Sequence, residues 1–275
     1  MPAGVQSYGV LKQDLSETKI DQAVEMIRLL GYAVVDGGYG PEEMANFSAA
    51  FDRARETMFE RHGGRDALAD IDEHNTIRAL ASVDDLFVDV ATNPAILAIA
   101  RKLVADYFVL NQQNGIINPP FGQSYNQGAF HRDLPFQHFV SSHPLAINAL
   151  FCLDEFTSEN GATYVIPASH KQTDFPSDPV IQETQLQITA PAGSFIVLDC
   201  MVYHSGGVNR SKHPRRGVNH VYTVPIIRPQ IDLPAVLGPD FSDDPAIRRL
   251  LGYELRVPTS LEAYYAKRRK QLDKE

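Results

Sequence analysis

The stretch Phe130–Pro135, which reads Phe-His-Arg-Asp-Leu-Pro, contains the residues around which the fold is predicted to form. In an extended strand, residues two apart point to the same face, so His131 and Asp133 would present an imidazole and a carboxylate side by side. The distant stretch Leu198–Gly207 supplies a second imidazole, that of His204. Two histidines and one carboxylate on one face of a metal ion leave coordination positions open, which is the ligand set expected of non-haem Fe(II) oxygenases.

An arginine, Arg215, follows His204 by eleven residues. Its guanidinium is a planar cation that can bind a carboxylate through two parallel hydrogen bonds. A His-X-Asp pair, a distant histidine and then an arginine in this order therefore predict a metal site with an adjoining carboxylate site.

The composition is that of an ordinary globular protein, with 44% hydrophobic and 21% charged residues in a chain of 275. The net charge of -9 argues against a nucleic-acid partner, because phosphates require a basic face. No signal peptide opens the chain, and no run approaches the ~18 apolar residues of a membrane span. We therefore expect a soluble, cytoplasmic protein without a membrane partner.

The two cysteines, Cys152 and Cys200, lie in separate apolar segments that resemble strands. Buried thiols in a reducing cytosol are the favoured interpretation, and a single disulfide is the alternative.

The N-terminal region is predicted to be helical over residues 13–106, after a polar arm at residues 1–12. Apolar residues at spacings of three and four predict a first helix that ends at Gly31, and Pro41 is typical of the first turn of a second. The predicted elements are a helix at 18–30, a strand at 32–35, a helix at 41–61, a polar loop or lid at 62–85 and a helix at 94–106.

Short strands separated by Gly, Pro and Asn predict a mainly β core over residues 107–225. The predicted strands are 107–117, 130–133, 146–153, 163–166, 184–188, 194–198 and 217–225. Such regular spacing indicates an all-β barrel or jelly roll. With a helical tail at 226–275 and no linker that would divide it, the chain is interpreted as a single domain over residues 1–275.

Three segments resemble the phytanoyl-CoA dioxygenase-like family of Fe(II)/2-oxoglutarate dioxygenases. They are His131–Asp133, Asn160–His170 and the run from His204 to Ser211 that leads to Arg215. The resemblance implies a double-stranded β-helix (jelly-roll or cupin-like) core, with iron held by His131, Asp133 and His204. It also implies 2-oxoglutarate as a co-substrate that chelates the iron and pairs with Arg215, and O₂ as the second co-substrate.

The chain departs from the family pattern at Gly206, where family members often carry Ser or Thr. A hydroxyl contact to 2-oxoglutarate would then come from another residue, for which Ser205 and Thr163 are the candidates. Family members also often place a Gln shortly before the first ligand, and Gln127 occupies a similar position here.

The expected activity is oxidation, with hydroxylation as the default, of a small and polar metabolite. The segment Leu110–Gly115 places amides on both faces of its strand, and Gln137 and His138 closely follow the metal pair. Such groups would be left unpaired beside a plain alkyl chain, at ~1–3 kcal/mol each. Two alternatives remain open from the sequence: a non-catalytic jelly-roll binding protein, and a Zn(II) hydrolase that uses the same three ligands.

Overall fold

A computed structural model describes residues 8–10 and 16–272, so most of the predicted polar arm at 1–12 lies outside the described residues. Its strands are Tyr32–Asp36 (β1), Thr76–Arg78 (β2), Val109–Asn118 (β3), Ala146–Cys152 (β4), Thr163–Val165 (β5), Leu186–Ile188 (β6), Ser194–Asp199 (β7), His204–Ser205 (β8) and Arg215–Thr223 (β9). They form a six-stranded sheet in the order β1-β7-β4-β9-β3-β2 and a three-stranded sheet in the order β6-β5-β8. Every strand pair in both sheets is antiparallel. The mainly β, jelly-roll fold class predicted from the sequence is confirmed.

Nine α-helices occur within the described residues. They are Lys19–Leu30 (α1), Pro41–Arg61 (α2), Gly64–Ala69 (α3), Leu86–Ala91 (α4), Pro94–Leu103 (α5), Asp178–Thr184 (α6), Leu233–Leu237 (α7), Pro245–Leu250 (α8) and Leu261–Leu272 (α9). Single 3-10 turns occur at Leu80–Ser82, Asn126–Gly128, Ser169–Lys171 and Tyr253–Leu255.

The larger sheet buries both of its faces, which explains why all six residues of β7 are buried. Its outer face packs against α1, α2, α4 and α5 through an extensive apolar core in which Phe51, Phe87 and Ile99 are fully buried. Its inner face packs against the smaller sheet through a second cluster that includes Phe156 and Val165. The space between the two sheets is where the candidate site lies.

The first helix, α1, begins and ends where its sequence predicts. Thr18 accepts a hydrogen bond from the backbone N of Asp21, whose carboxylate accepts from the N of Thr18, so the two residues form a capping box. Gly31 ends the helix with φ 89°, a left-handed conformation that glycine adopts without strain. The chain then enters β1 directly, beside β7.

The segment at 62–85 is more regular than the predicted polar loop. It contains α3, β2 and a 3-10 turn, and β2 pairs with β3 at the edge of the larger sheet. A short apolar stretch explains the difference: Ile77, between Thr76 and Arg78, and Leu80, between two alanines, are both buried in the core. The N-terminal region thus supplies both edge strands, β1 and β2, of the larger sheet.

Several predicted boundaries also differ from the structure. The segment predicted as a strand at 130–133 forms only a single bridge, between His131 and His204. The predicted strand at 184–188 is the end of α6 followed by β6, and the predicted helix at 94–106 ends at Leu103. Helix α4 was not predicted, because its six residues span less than two turns of any periodic pattern.

Both cysteines are free thiols and are buried, so the disulfide alternative is not realised. Burial raises the pKa of Cys152 to about 12, which keeps it protonated and unreactive. Within residues 8–10 and 16–272, no helix is both long enough and apolar enough to span a membrane.

Two buried histidines, His170 and His220, predict acid-sensitive stability. Burial lowers the pKa of each to about 4, below the usual value of 6.5, so they bind fewer protons in the folded chain than in the unfolded chain. The contribution of the neutral histidines to the free energy of unfolding is therefore fully present above pH 6.5 and is lost as the pH falls towards 4. Burial raises the pKa of Asp199 to about 6. Below that pH, Asp199 binds more protons in the folded chain than in the unfolded chain, so it opposes the effect of the two histidines on stability.

We expect the free energy of unfolding to fall between pH 7 and pH 5, with His220 contributing about 1 kcal/mol per pH unit near pH 5. Urea denaturation at several pH values measures this slope. His220→Gln should reduce it, whereas His143→Gln, at an exposed position, should leave it as it is. An unchanged slope in His220→Gln would contradict the prediction.

Candidate metal centre

The three predicted ligands converge between the two sheets. His131, Asp133 and His204 each offer one donor atom, and these atoms all lie within 4.8 Å of one another. Asp133 Oδ1 lies 3.8 Å from His131 Nε2 and 3.7 Å from His204 Nε2. Both distances are less than twice a metal–ligand bond of ~2.1 Å, so a single ion fits between the three donors.

Backbone hydrogen bonds bring the three ligands together. His131 N donates to His204 O at 2.8 Å, and His204 N donates to His131 O at 3.0 Å. Asp133 N donates to Cys200 O at 2.9 Å. Two segments that are far apart in the chain are therefore joined at the ligands themselves, without a regular strand at 130–133.

Each imidazole is oriented by a backbone carbonyl. Nδ1 of His131 lies 2.8 Å from Ala129 O, and Nδ1 of His204 lies 2.9 Å from Val202 O. A carbonyl oxygen only accepts hydrogen bonds, so Nδ1 of each ring carries the proton and Nε2 keeps its lone pair for a metal ion. Burial also lowers the pKa of His204, although Asp133 opposes this effect.

The Asp133 carboxylate is held by Asn148 on β4. Asn148 Nδ2 donates to Asp133 Oδ2 at 3.0 Å, which leaves Oδ1 facing the two imidazoles. The other polar atom of this amide, Asn148 Oδ1, is buried and has no hydrogen-bond partner among the described residues. Asn148 thus orients a ligand and offers a free acceptor beside it.

Arg132, between the two ligands in sequence, points away from the cavity and is 2% exposed. Its guanidinium donates to four backbone carbonyls and stacks on the ring of Phe175, with Cζ 4.7 Å from the ring centroid. The acceptors are Gln137 O, Thr173 O at 3.0 Å, Ser169 O at 3.0 Å and Gln172 O at 2.6 Å. One buried cation thereby fastens the segments at 137 and 169–175 to the backbone that carries His131 and Asp133.

A buried cation also stands inside the cavity. Arg215 is 4% exposed, and its guanidinium lies on the ring of Phe156, with Cζ 3.8 Å from the centroid. Burial lowers the pKa of Arg215. No described carboxylate lies within ion-pair distance of its guanidinium, and its Nε has no hydrogen-bond partner among the described residues. An uncompensated buried charge is costly, so the donor set fits an anionic ligand such as a carboxylate.

The next residue, Arg216, faces the opposite side of β9. It binds Asp154 through Nε at 3.1 Å and Nη2 at 2.8 Å, and Asp52 through Nη1 at 2.9 Å. The alternation of the strand thus separates an arginine in the cavity from one whose charge is already paired.

The other predicted site residues lie around the same cavity, whose volume is about 40 Å³. Thr163, Ser205 and Gln127 all line it, together with the ligands and Arg215. His138, which the sequence placed near the substrate, does not line this cavity; it is exposed and packs edge-on against Phe175.

Sequence reasoning missed three polar residues that line the cavity: Tyr125, Asn148 and Asn219. Asn219 was accessible from the sequence, because it lies four residues beyond Arg215 and therefore on the same face of β9. Tyr125 and Asn148 reach the site through loop geometry and strand pairing, which no local pattern reveals.

A jelly roll with two histidines and one aspartate converging between its sheets defines the class of non-haem iron oxygenases. The family model of phytanoyl-CoA dioxygenase (PhyH) matches residues 27–217. The chain therefore belongs to the phytanoyl-CoA dioxygenase family. It is an oxidoreductase, and iron and 2-oxoglutarate are the cofactor and co-substrate of its family.

The chain is also similar to individual proteins. The uncharacterized protein Rv1501 of Mycobacterium tuberculosis is 30% identical over 256 residues, which cover 91% of this chain and 93% of the relative. Dioxygenase af480 of Aspergillus fumigatus is 29% identical over 180 residues, covering 62% of this chain and 56% of that protein.

Solved structures share the fold. The α-ketoglutarate-dependent epimerase SnoN from nogalamycin biosynthesis aligns with a TM-score of 0.59 and 21% identity, over 82% of this chain and 93% of its own. SnoN in complex with Fe³⁺, α-ketoglutarate and nogalamycin RO aligns with a TM-score of 0.57 and 20% identity, over 82% of this chain and 92% of that chain.

Proposed function

We propose that His131, Asp133 and His204 hold Fe(II), that Arg215 binds the distal carboxylate of 2-oxoglutarate, and that the enzyme hydroxylates a small polar metabolite. In the balanced reaction, substrate, O₂ and 2-oxoglutarate give hydroxylated substrate, succinate and CO₂. The observation that carries the proposal is the presence of a three-donor metal cluster and an unpaired buried guanidinium in one cavity.

The charges of such a site sum to zero. The two positive charges of Fe(II) and the one of Arg215 balance the carboxylate of Asp133 and the two carboxylates of 2-oxoglutarate. A neutral buried site avoids much of the desolvation cost of an unpaired ion. This balance also favours the oxygenase over a Zn(II) hydrolase or a binding protein, neither of which requires an anion at Arg215.

When bound, Fe(II) and 2-oxoglutarate supply the activation of O₂ and the oxidation of the substrate. The chain supplies orientation. Asn148 fixes the Asp133 carboxylate, the carbonyls of residues 129 and 202 fix the imidazoles, and Arg215 aligns the co-substrate. Ile116, Leu150 and Leu198 supply apolar side chains to the lining of the cavity.

Amide side chains on the inner face of the larger sheet support a polar substrate. Asn148 and Asn219 line the cavity, and Asn219 Oδ1 accepts from the backbone N of Asn114 at 3.2 Å. The free Oδ1 of Asn148 would remain unpaired against an alkyl group, at a cost of ~1–3 kcal/mol. Gln137 does not line the cavity, and its Oε1 accepts from Arg132 N at 3.3 Å.

The proposal is tested by incubating the Fe(II)-loaded protein with 2-oxoglutarate, O₂ and a library of polar metabolites while succinate is measured. A metabolite that accelerates succinate formation and gains one oxygen by mass spectrometry supports hydroxylation. A product of unchanged mass would overturn hydroxylation, and no succinate with any iron-loaded sample would overturn the dioxygenase assignment. No chlorinated product is expected in chloride buffer, because Asp133 supplies the carboxylate ligand.

Arg215→Ala is expected to raise the dissociation constant of 2-oxoglutarate by ~10- to 100-fold or more, because a charge-assisted pair is lost. Arg216→Ala is the matched control on the same strand and should change that constant little, since its partners are Asp154 and Asp52. Anaerobic calorimetric titration of the Fe(II)-loaded variants measures both. Reversed effects would show that Arg216 carries the contact.

A further inference from the structure

Gly206, two residues beyond His204, lies against the side chain of Tyr125 in the cavity. A Cβ at this position would lie 1.7 Å from Tyr125 Oη and 2.7 Å from Tyr125 Cζ, distances that side-chain carbons do not adopt. The next nearest atom, Gln127 O at 3.2 Å, would need only a small shift. The backbone of Gly206 is also outside the left-handed region, so its conformation would accept a side chain. Tyr125 is therefore the main obstacle to a side chain at this position.

A backbone hydrogen bond holds Tyr125 in this place. Gly206 N donates to Gln127 O at 2.7 Å, which fastens the 3-10 turn at 126–128 against β8. Tyr125 immediately precedes that turn, and its side chain therefore reaches back over Gly206 into the cavity. The tyrosine hydroxyl occupies the space that a side chain of residue 206 would fill.

The hydroxyl also lies beside the guanidinium of Arg215, which has no carboxylate partner among the described residues. Tyr125 Oη is 3.4 Å from Arg215 Nη2, and among the described residues it is the one side chain hydrogen-bonded to Arg215. Burial raises the pKa of Tyr125, while Arg215 opposes that shift, so the hydroxyl keeps its proton at neutral pH and can donate it in a hydrogen bond.

We infer that Tyr125 is a further co-substrate-binding residue: its hydroxyl donates to the distal carboxylate of 2-oxoglutarate beside Arg215, and Gly206 is glycine to admit it. The inference rests on the proposed function. A carboxylate has about four lone-pair sites, so it accepts from the arginine fork and from a hydroxyl together. Of the earlier candidates, Ser205 and Thr163 line the cavity, but neither is hydrogen-bonded to Arg215.

The first test compares co-substrate affinity by anaerobic calorimetric titration of the Fe(II)-loaded protein with 2-oxoglutarate. Tyr125→Phe keeps the ring and removes the hydroxyl, and it should weaken binding by about tenfold. Tyr164→Phe is the matched control, because Tyr164 neighbours Thr163 on β5 but points away from the cavity. Equal affinities of Tyr125→Phe and the unmodified protein would overturn the inference.

The second test is a swap between the two positions. Gly206→Ser alone should weaken 2-oxoglutarate binding, because the new side chain displaces Tyr125. In a Tyr125→Ala background the same Gly206→Ser change should strengthen binding, because the serine hydroxyl then stands close to where the tyrosine hydroxyl was. If Tyr125 had a purely structural role, the effect of Gly206→Ser on 2-oxoglutarate affinity would have the same sign in both backgrounds.

The outcomes separate this inference from the proposed function. If the unmodified Fe(II)-loaded protein does not bind 2-oxoglutarate, the proposed function is overturned and the inference with it. If it binds while Gly206→Ser weakens binding equally in both backgrounds, only the role of Tyr125 is overturned. Thermal melting of each variant without 2-oxoglutarate identifies any general loss of folding.

Discussion

His204→Ala is expected to reduce the affinity for Fe(II) by more than ~100-fold and to abolish 2-oxoglutarate turnover. Loss of an outer partner of a metal ligand already costs ~10–100-fold, so loss of one of only three protein ligands should cost more. Anaerobic Fe(II) titration measures the affinity, and succinate formation measures turnover. His131→Ala and Asp133→Ala should give the same result.

Two controls make this prediction specific. Asn148→Ala removes the hydrogen bond to Asp133 Oδ2 but keeps all three candidate ligands, so it should weaken iron binding by ~10–100-fold without eliminating it. His143→Ala alters an exposed histidine and should have no effect. Circular dichroism establishes that each variant is folded. Succinate formation by His204→Ala at the rate of the unmodified enzyme would exclude the assigned ligand set.

Arg132→Ala is expected to lower the free energy of unfolding by about 3 kcal/mol or more. The change leaves four backbone carbonyls without their charged donor and opens a cavity beside Phe175, and each of these effects alone is costly. Urea denaturation of the metal-free protein measures the loss, so the result does not depend on iron.

Arg132→Lys should recover only part of this stability, because an ammonium group has three donors on one atom and cannot reproduce the planar fork. Arg210→Ala is the control, because Arg210 is also an arginine near a candidate ligand in the sequence, but its side chain is exposed. If Arg132→Ala and Arg210→Ala unfold at the same urea concentration, the buried guanidinium does not stabilise the fold.

The convergence of the candidate ligands could be anticipated from the sequence because its parts are local. His131 and Asp133 are only two residues apart in sequence, and Arg215 and Asn219 are four residues apart on β9, so the period of two places this second pair on one face. The ends of α1 were predictable for the same reason, since Thr18 and Gly31 act only on their own helix.

Contacts between distant segments could not be predicted in this way. Residues 130–133 have a strand-like pattern, but the backbone of His131 pairs with one residue of a short partner, so a strand does not extend from it. Tyr125 reaches the cavity only because Gly206 N binds Gln127 O, a contact between separate parts of the chain. Arg132 looks like a surface residue until its four carbonyl partners are assembled around it.

The strand order has a consequence for how the chain is made. β9, the last strand to be synthesised, lies between β3 and β4 in the sheet, and those two strands do not pair with each other. Likewise, β1 pairs with β7, so it has no partner strand until β7 has been synthesised. A nascent chain whose β9 has not yet been synthesised therefore has several unpaired strand edges, and such edges are prone to aggregation. Because Arg215 begins that strand, the proposed co-substrate site would arise in the same event that closes the sheet, and a chain without β9 would lack that site.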